Sequence, residues 1–278
     1  MNTSHERDQT VMEMLSVKNG EGWKALRAIM TPTFTSGKIK NMFPLVCDKA
    51  DALVKFSMKE AAEKPYVDIK KNFGRYTMDT IASCAFGIEC NSLVDEKAEF
   101  PRKAEAFFNV SYTSVAKMML AIFAPKLIKL FRLSINATET DFFIEVVKQT
   151  VAAREAREAG PRRGDFLDLL MEARDNADNP DTKHVLSDRS LVAQSVLFII
   201  AGYETTANLL AFSTYLLAKN KDQQRRLRDE LQKIVAEKGD ITYQGIMEAK
   251  LLDACLQGES RDSTYGSITR FTPTWLLH

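Results

Sequence analysis

Between residues 191 and 218 the apolar positions stop following one stripe and fall on every face of the helix that their spacing implies. Leu191, Val192, Val196, Leu197, Phe198, Ile199, Ile200, Leu209, Leu210, Phe212, Leu216 and Leu217 leave no polar side. That pattern predicts a helix wrapped by protein, the spine of the fold, over about 187–218. Set into it is A-G-Y-E-T-T, Ala201 to Thr206. Gly202 costs about 1 kcal/mol relative to Ala in a helix interior, and an acid and two β-branched hydroxyl residues follow within a turn. So many local compromises together suggest a site. At helical spacing Phe198, Ala201, Gly202, Thr205 and Leu209 share a face, where two small residues clear a space and Thr205 brings a hydroxyl to its edge. Glu204 lies one position round. The same residues also fit close packing, in which Gly and Ala admit a neighbouring helix and the Thr hydroxyls bond back to the preceding turn. Taken alone, they leave both readings open.

Elsewhere helical periodicity dominates and strand signals are scarce, so the fold class is mainly α. A short helix over 20–30 carries Trp23 and Arg27 one turn apart on one face, and Thr31-Pro32 should end it. Further helices are predicted over 40–62, over 66–86 with Gly87 as its C-cap, and over 99–111 with Phe107 and Phe108 on the apolar side. Segments 138–159 and 165–175 read as helical, Ser187 or Ser190 should cap the spine, and 221–237 reads as a charged surface helix. Short helices follow near 243–249 and from 251 to 257. Segment 115–132 mixes large apolar residues with Lys117, Lys126, Lys129 and Arg132 and is broken by Pro125. It suits either a dip into lipid headgroups or a loop folded over the core. From 258 to 278 the chain turns polar and small-residue-rich and stops without a closing element.

Composition narrows the function classes. With 278 residues, a formal net charge of +1, 45% hydrophobic and 27% charged residues, the chain reads as globular, without a field for nucleic acid and too polar for a polytopic membrane protein. No apolar run reaches the roughly 18 to 20 residues of a membrane span, because Gln194, Ser195 and Glu204 interrupt the spine. The first fifteen residues lack a signal-peptide core. Cys47, Cys84, Cys90 and Cys255 lie far apart without metal-ligand spacing and read as free thiols, and none of the three histidines reads as a metal ligand. Basic residues at 154, 157, 162 and 163 alternate with Glu155 and Glu158, which suits a solvated helix end better than a nucleic-acid patch.

Several spaced features then agree on one family. W-K-A-L-R at 23–27, T-P-T-F-T-S-G-K at 31–38, F-G-R-Y-T-M-D-T-I-A-S-C-A-F-G at 73–87, D-F-L-D-L-L at 165–170 and L-V-A-Q-S-V-L-F-I-I-A-G-Y-E-T-T at 191–206 resemble, in order and separation, the microsomal haem-thiolate monooxygenases, the cytochromes P-450, of the animal xenobiotic-metabolising branch. The resemblance implies that the spine crosses the distal face of a haem. It would make Thr205 the threonine that helps protonate bound oxygen, Glu204 the acid beside it in the proton relay, and Ala201 and Gly202 the gap for oxygen. Trp23 and Arg27 would hold a haem propionate, for which an indole N–H and a guanidinium are suited donors, and Phe107, Phe108 and Phe198 would contact substrate. It also implies a lipophilic substrate, an NADPH-dependent reductase as partner, and the cytosolic face of the endoplasmic reticulum membrane for the full-length family.

The sequence departs from the family at both ends. Counted from Leu252-Asp253, the E-x-x-R positions are Gly258 and Arg261, so the acid is missing from its place, and Glu259 is one residue late. Neither the cysteine loop that supplies the axial thiolate nor the amino-terminal anchor is present in these residues. The expectation is an internal fragment: a single partial domain over 1–278, poorly matched over 1–18 and 258–278, which does not catalyse monooxygenation alone and, lacking an anchor, is cytosolic. The alternative is a non-catalytic truncated helical protein that binds lipid or protein partners.

Overall fold

Local chemistry starts and stops most helices close to where the periodicity places them. The computed structural model describes residues 5–95, 97–108, 112–123, 134, 136–156, 164–175 and 186–257. Among them are twelve α-helices and no strand, so the mainly α expectation holds. They are α1 (Glu6–Glu13), α2 (Gly20–Met30) with a 3-10 turn Thr31–Phe34 behind it, α3 (Ser36–Glu63), α4 (Ile69–Ile81) continued by a π turn Ala82–Phe86, α5 (Glu99–Phe108), α6 (Tyr112–Phe123), α7 (Glu139–Glu155) and α8 (Phe166–Asp175). The spine is α9 (Asp188–Lys219), followed by α10 (Lys221–Lys238), α11 (Tyr243–Glu248) and α12 (Lys250–Gln257).

The caps explain the boundaries. Asp68 accepts from the Lys71 N–H and opens α4. Gly87 closes the π turn in the left-handed region, φ 63°, where a Cβ is unfavourable. Ser187, rather than Ser190, caps the spine by accepting from the Ser190 N–H at 3.2 Å. Helix α1 escapes the periodicity because its buried residues are polar, Asp8 and Thr10. Helix α6 covers the first part of the basic, apolar segment; 124–132 lie outside the described residues, as do Gly258 and Arg261.

The chain divides into two compact units, Met1–Ala207 and Asn208–His278. In the first, α2, α4, α7, α8 and the start of α9 meet in a core that includes Leu26, Met30, Met78, Phe143, Val147, Leu167, Leu170, Leu191, Val196 and Ile199. A charged clasp closes one side of it. The Arg154 guanidinium donates to Asp165 and Asp168 at 2.5–2.7 Å and to the Phe86 carbonyl at 2.6 Å, tying α7, the start of α8 and the π turn together. In the second unit, the Glu230 carboxylate of α10 accepts from the Leu251 and Leu252 N–H groups and so satisfies the first turn of α12.

The spine is wrapped only in part. Residues 190–196 are buried, whereas Leu209, Phe212 and Tyr215 are exposed, so apolar character on every face does not mean burial along the whole length. By length and composition Asp188–Lys219 is apolar enough to cross a membrane, which corrects the expectation that no stretch is; a buried core helix meets the same criterion. Because the Arg154 clasp is largely shielded, Arg154→Met should leave two shielded carboxylates without their cation and cost about 3–5 kcal/mol of stability, measured by urea unfolding. A loss below about 1 kcal/mol would show that the clasp is solvated and weak.

Candidate functional site

Helix α9 is the element on which the predicted residues can be located relative to one another. Its middle turn meets α4 through Gly202, Tyr203 and Glu204. A Cβ on Gly202 would lie 3.0 Å from Ile81 Cδ1 and 3.1 Å from its Cγ1, so the backbone of α9 sits directly on that side chain. On the other helix Gly74 makes the matching room, since a Cβ there would stand 3.2 Å from the Tyr203 hydroxyl oxygen. Thr77 donates to the Tyr203 carbonyl at 2.9 Å, and Lys70 forms a 2.8 Å ion pair with Glu204. Lys70, Gly74, Thr77 and Ile81 are spaced 4, 3 and 4 apart, hence on one face of α4.

The face round Thr205 is different. Thr205 is exposed and its hydroxyl donates to the Ala201 carbonyl at 2.5 Å, while Ala201 is half-buried. One turn before Ala201, Phe198 packs on Phe166, ring centroids 4.0 Å apart, and stacks on Phe34 at 5.2 Å. Phe34 closes the 3-10 turn behind α2, so this stack joins α2 to the spine. On α2 the Trp23 indole is 42% exposed and Arg27 is half-buried, one turn apart, while Leu26 and Met30 anchor the helix in the core. Phe107 and Phe108 pack edge-to-face at 5.2 Å, and Phe108 leans on Tyr203 at 5.9 Å. Tyr203 is two residues before Thr205, on nearly the opposite side of the helix. The structure therefore groups Phe198 with Ala201 and Thr205, and places Phe108 behind them with Tyr203.

Two cavities stand apart from these residues. One of about 330 Å³ is lined by Glu6, Lys148, Glu155, Arg174 and Asp188, whose charges pair with one another. The other, about 630 Å³ and apolar, lies in the second unit against Leu227, Leu231, Ile246 and Leu252.

Comparison with known proteins decides the family. The sequence model of the family described as Cytochrome P450 matches residues 2–258. The chain belongs to the cytochrome P450 family. It is 35% identical over 246 residues to Cytochrome P450 3A41 of Mus musculus, covering 87% of this chain and 48% of that one. It is 36% identical over 257 residues to Cytochrome P450 3A31 of Mesocricetus auratus, 91% and 50%, and 39% identical over 236 residues to Cytochrome P450 6j1 of Blattella germanica, 84% and 46%. The chain thus spans about half the length of the curated relatives it matches.

A P450 implies haem, and the residues present fit it in part. Trp23 and Arg27 are placed as two hydrogen-bond donors one turn apart on a partly open helix, which suits a propionate. Among the cysteines, Cys84 is buried inside the π turn, burial and the neighbouring Asp79 and Glu89 push the Cys90 thiol up to about 12, and burial also raises Cys255, whereas surroundings that lower the thiol pKa favour a thiolate.

Gly202→Ala sets a crowding cost of about 1–3 kcal/mol against a helix-propensity gain of about 1 kcal/mol, and so should destabilise modestly. In an Ile81→Ala background only the Ile81 Cβ, 3.5 Å away, remains opposite, and the same change should stabilise by about 1 kcal/mol. A double-mutant cycle by urea unfolding checks this, and zero coupling would place Gly202 elsewhere. Burial likewise pushes the Tyr203 phenol up to about 12, helped by Glu204 and Glu105. Both Tyr203 and Cys90 then lie above their ordinary values of 10.0 and 9.0, so the unfolded chain releases these protons first. Their contribution to stability is full below pH 9 and lost as pH rises toward 12. The urea midpoint should fall between pH 8 and pH 11, and fall less in Tyr203→Phe.

Proposed function

We propose that this chain forms the distal part of the oxygen-activating pocket of a haem-thiolate monooxygenase, whose reaction inserts one oxygen atom from O2 into a lipophilic substrate. The observation that carries the reading is the family match over residues 2–258, which takes in every predicted site residue. When bound, haem supplies the redox-active iron for oxygen chemistry. The residues of the chain hold and shape the pocket. Trp23 and Arg27 donate to a propionate, and Ala201 keeps the spine free of bulk next to Thr205. Gly202 lets the spine settle on Ile81, so that its neighbour Ala201 is held in place.

Proton handling falls to Thr205 and Glu204. The Thr205 hydroxyl, bonded to the Ala201 carbonyl, keeps its lone pairs available to a proton donor on the open side and can rotate to donate outward. Glu204, one position round the helix, would recharge it through water; its carboxylate is paired with Lys70 in the structure, so it first takes a proton from solvent and then passes it on. Phe198 lines the substrate side, and Phe107 and Phe108 support the pocket from behind Tyr203. Electrons would come from an NADPH-dependent reductase, with the whole protein on the cytosolic face of the endoplasmic reticulum, and the exposed apolar side chains of α6 suit contact with that surface. Because none of the four cysteines lies in a glycine-rich loop ahead of a helix, the pattern that supplies the thiolate in the family, the 278-residue chain would not complete the reaction by itself.

Haem titration and a carbon monoxide difference spectrum of the purified, reduced chain test both parts. Haem should bind, more weakly by at least about tenfold in a Trp23→Phe, Arg27→Met double variant, in line with loss of charge-assisted bonds. The difference spectrum should lack the red-shifted Soret band of a thiolate-ligated iron. Haem affinity indifferent to both substitutions would remove the pocket reading, and a thiolate-type band at one haem per chain would refute the statement about the cysteines.

A further inference from the structure

The apolar cavity of the second unit is built by three elements that follow one another in sequence. Leu227, Leu231 and Val235, four apart and so on one face, line it from α10, Ile241 and Ile246 line it from the approach to α11 and from α11 itself, and Leu252 lines it from α12. Its volume is about 630 Å³. Its rim is apolar and open, with Val235 37% and Ile241 55% exposed. One turn beyond Leu252, on the same face of α12, Leu256 is 38% exposed. The apolar strip therefore runs out of the groove to Gln257, where α12 ends. Large apolar side chains gathered on one open surface mark a place where something else packs.

The sequence supplies an occupant. The compact unit Asn208–His278 that holds the groove also contains residues 258–278, which lie outside the described residues and start where the strip stops. Their first ten, Gly258 to Ser267, are polar or small for the most part. The next ten gather Ile268, Phe271, Trp275, Leu276 and Leu277, with Arg270 as their one charge. The family match ends at residue 258, so the family does not account for this apolar cluster. Ten residues span up to about 33–36 Å. The eighteen residues of α10 make a helix about 27 Å long, so a segment that leaves at Gln257 reaches every part of the groove. Being on the same chain, it meets the groove at an effective concentration of about millimolar for a short flexible link, which favours it over a second copy in dilute solution.

We propose that residues 268–277 dock in the apolar groove between α10, α11 and α12 of their own chain, with Trp275 and its two neighbouring leucines as the anchor. Trp23 and Trp275 are the two tryptophans of the sequence, so Trp23→Phe leaves Trp275 as the reporter in the full 278-residue chain. Its acrylamide quenching constant should be at least about threefold below that of a free peptide of residues 268–278, with emission shifted to the blue, because a docked indole is largely removed from water. In the same background Leu231→Lys and Ile246→Lys, on two different helices, should each bring quenching back to the peptide value. Leu209→Lys, at an exposed apolar position that does not line the groove, should leave it unchanged. Far-UV circular dichroism shows whether each variant keeps its helices. As a check that leaves the groove intact, replacing Trp275, Leu276 and Leu277 together by Ser should raise amide exchange over 241–256 by about fivefold or more. An indole quenched as freely as in the peptide overturns the docking. A shielded indole that ignores both groove substitutions, with amide exchange unchanged in the triple-Ser chain, places the segment elsewhere and overturns it too. Shielding that grows with protein concentration assigns the groove to a second copy, which overturns the intramolecular reading.

Discussion

Helix α4 can lie on α9 as closely as it does because each helix lacks a Cβ where the other arrives. Gly202 receives Ile81 and Gly74 receives the Tyr203 ring, and the Thr77 hydroxyl bonds the Tyr203 carbonyl between them. That carbonyl belongs to the same turn as Thr205. The contact therefore fixes both the depth and the rotation of the spine at the turn where its acid and hydroxyl residues stand. Rotating α9 by one residue, about 100°, would carry Thr205 off its present face and bring a larger side chain against Ile81.

Seen from this contact, the A-G-Y-E-T-T turn has two sides with different work. Gly202, Tyr203 and Glu204 meet α4, through close packing, a buried phenol and an ion pair with Lys70. Ala201 and Thr205 face the side on which Phe198, Phe34 and Phe166 stack. Close packing accounts for Gly202, and the Thr205 hydroxyl bonds back to the Ala201 carbonyl as that reading expects, while Ala201 and Thr205 are the residues proposed for the site. The spine also carries polar groups into the core without leaving them unpaired. Gln194 bonds to the chain at Glu13 and Leu15, and Ser195 bonds back to Leu191. Each polar interruption that shortens the apolar run thus has a partner, as burial requires.

Most helices were legible because their causes are local. Gly87 ends the α4 segment by adopting a conformation that other residues resist, and Ser187 opens the spine through its own neighbour. That Phe198 shares a face with Ala201, and that Trp23 and Arg27 lie one turn apart, follow from spacing, since a helix puts residues three and four apart on one side; the roles proposed for them come from the family resemblance. Helix α1 could not, because its buried positions are Asp8 and Thr10, and periodicity reads burial only through apolar residues. Gln194 was legible merely as a polar interruption, for its partners lie some 180 positions away.

The sequence by itself determined a helical chain with one long apolar spine, the small residues and hydroxyls at its middle, and the motifs that place it among the P450s, because propensity, capping and residue order are properties of the chain. Tertiary structure decided which of those residues touch. It set Gly202 on Ile81, brought Phe108 against Tyr203, and brought residues 13–15 to Gln194. It also left Leu209, Phe212 and Tyr215 exposed although their segment reads as buried throughout. The reason is physical: an apolar side chain is recorded in the sequence whether or not a neighbour covers it, and a neighbour distant along the chain arrives only through folding.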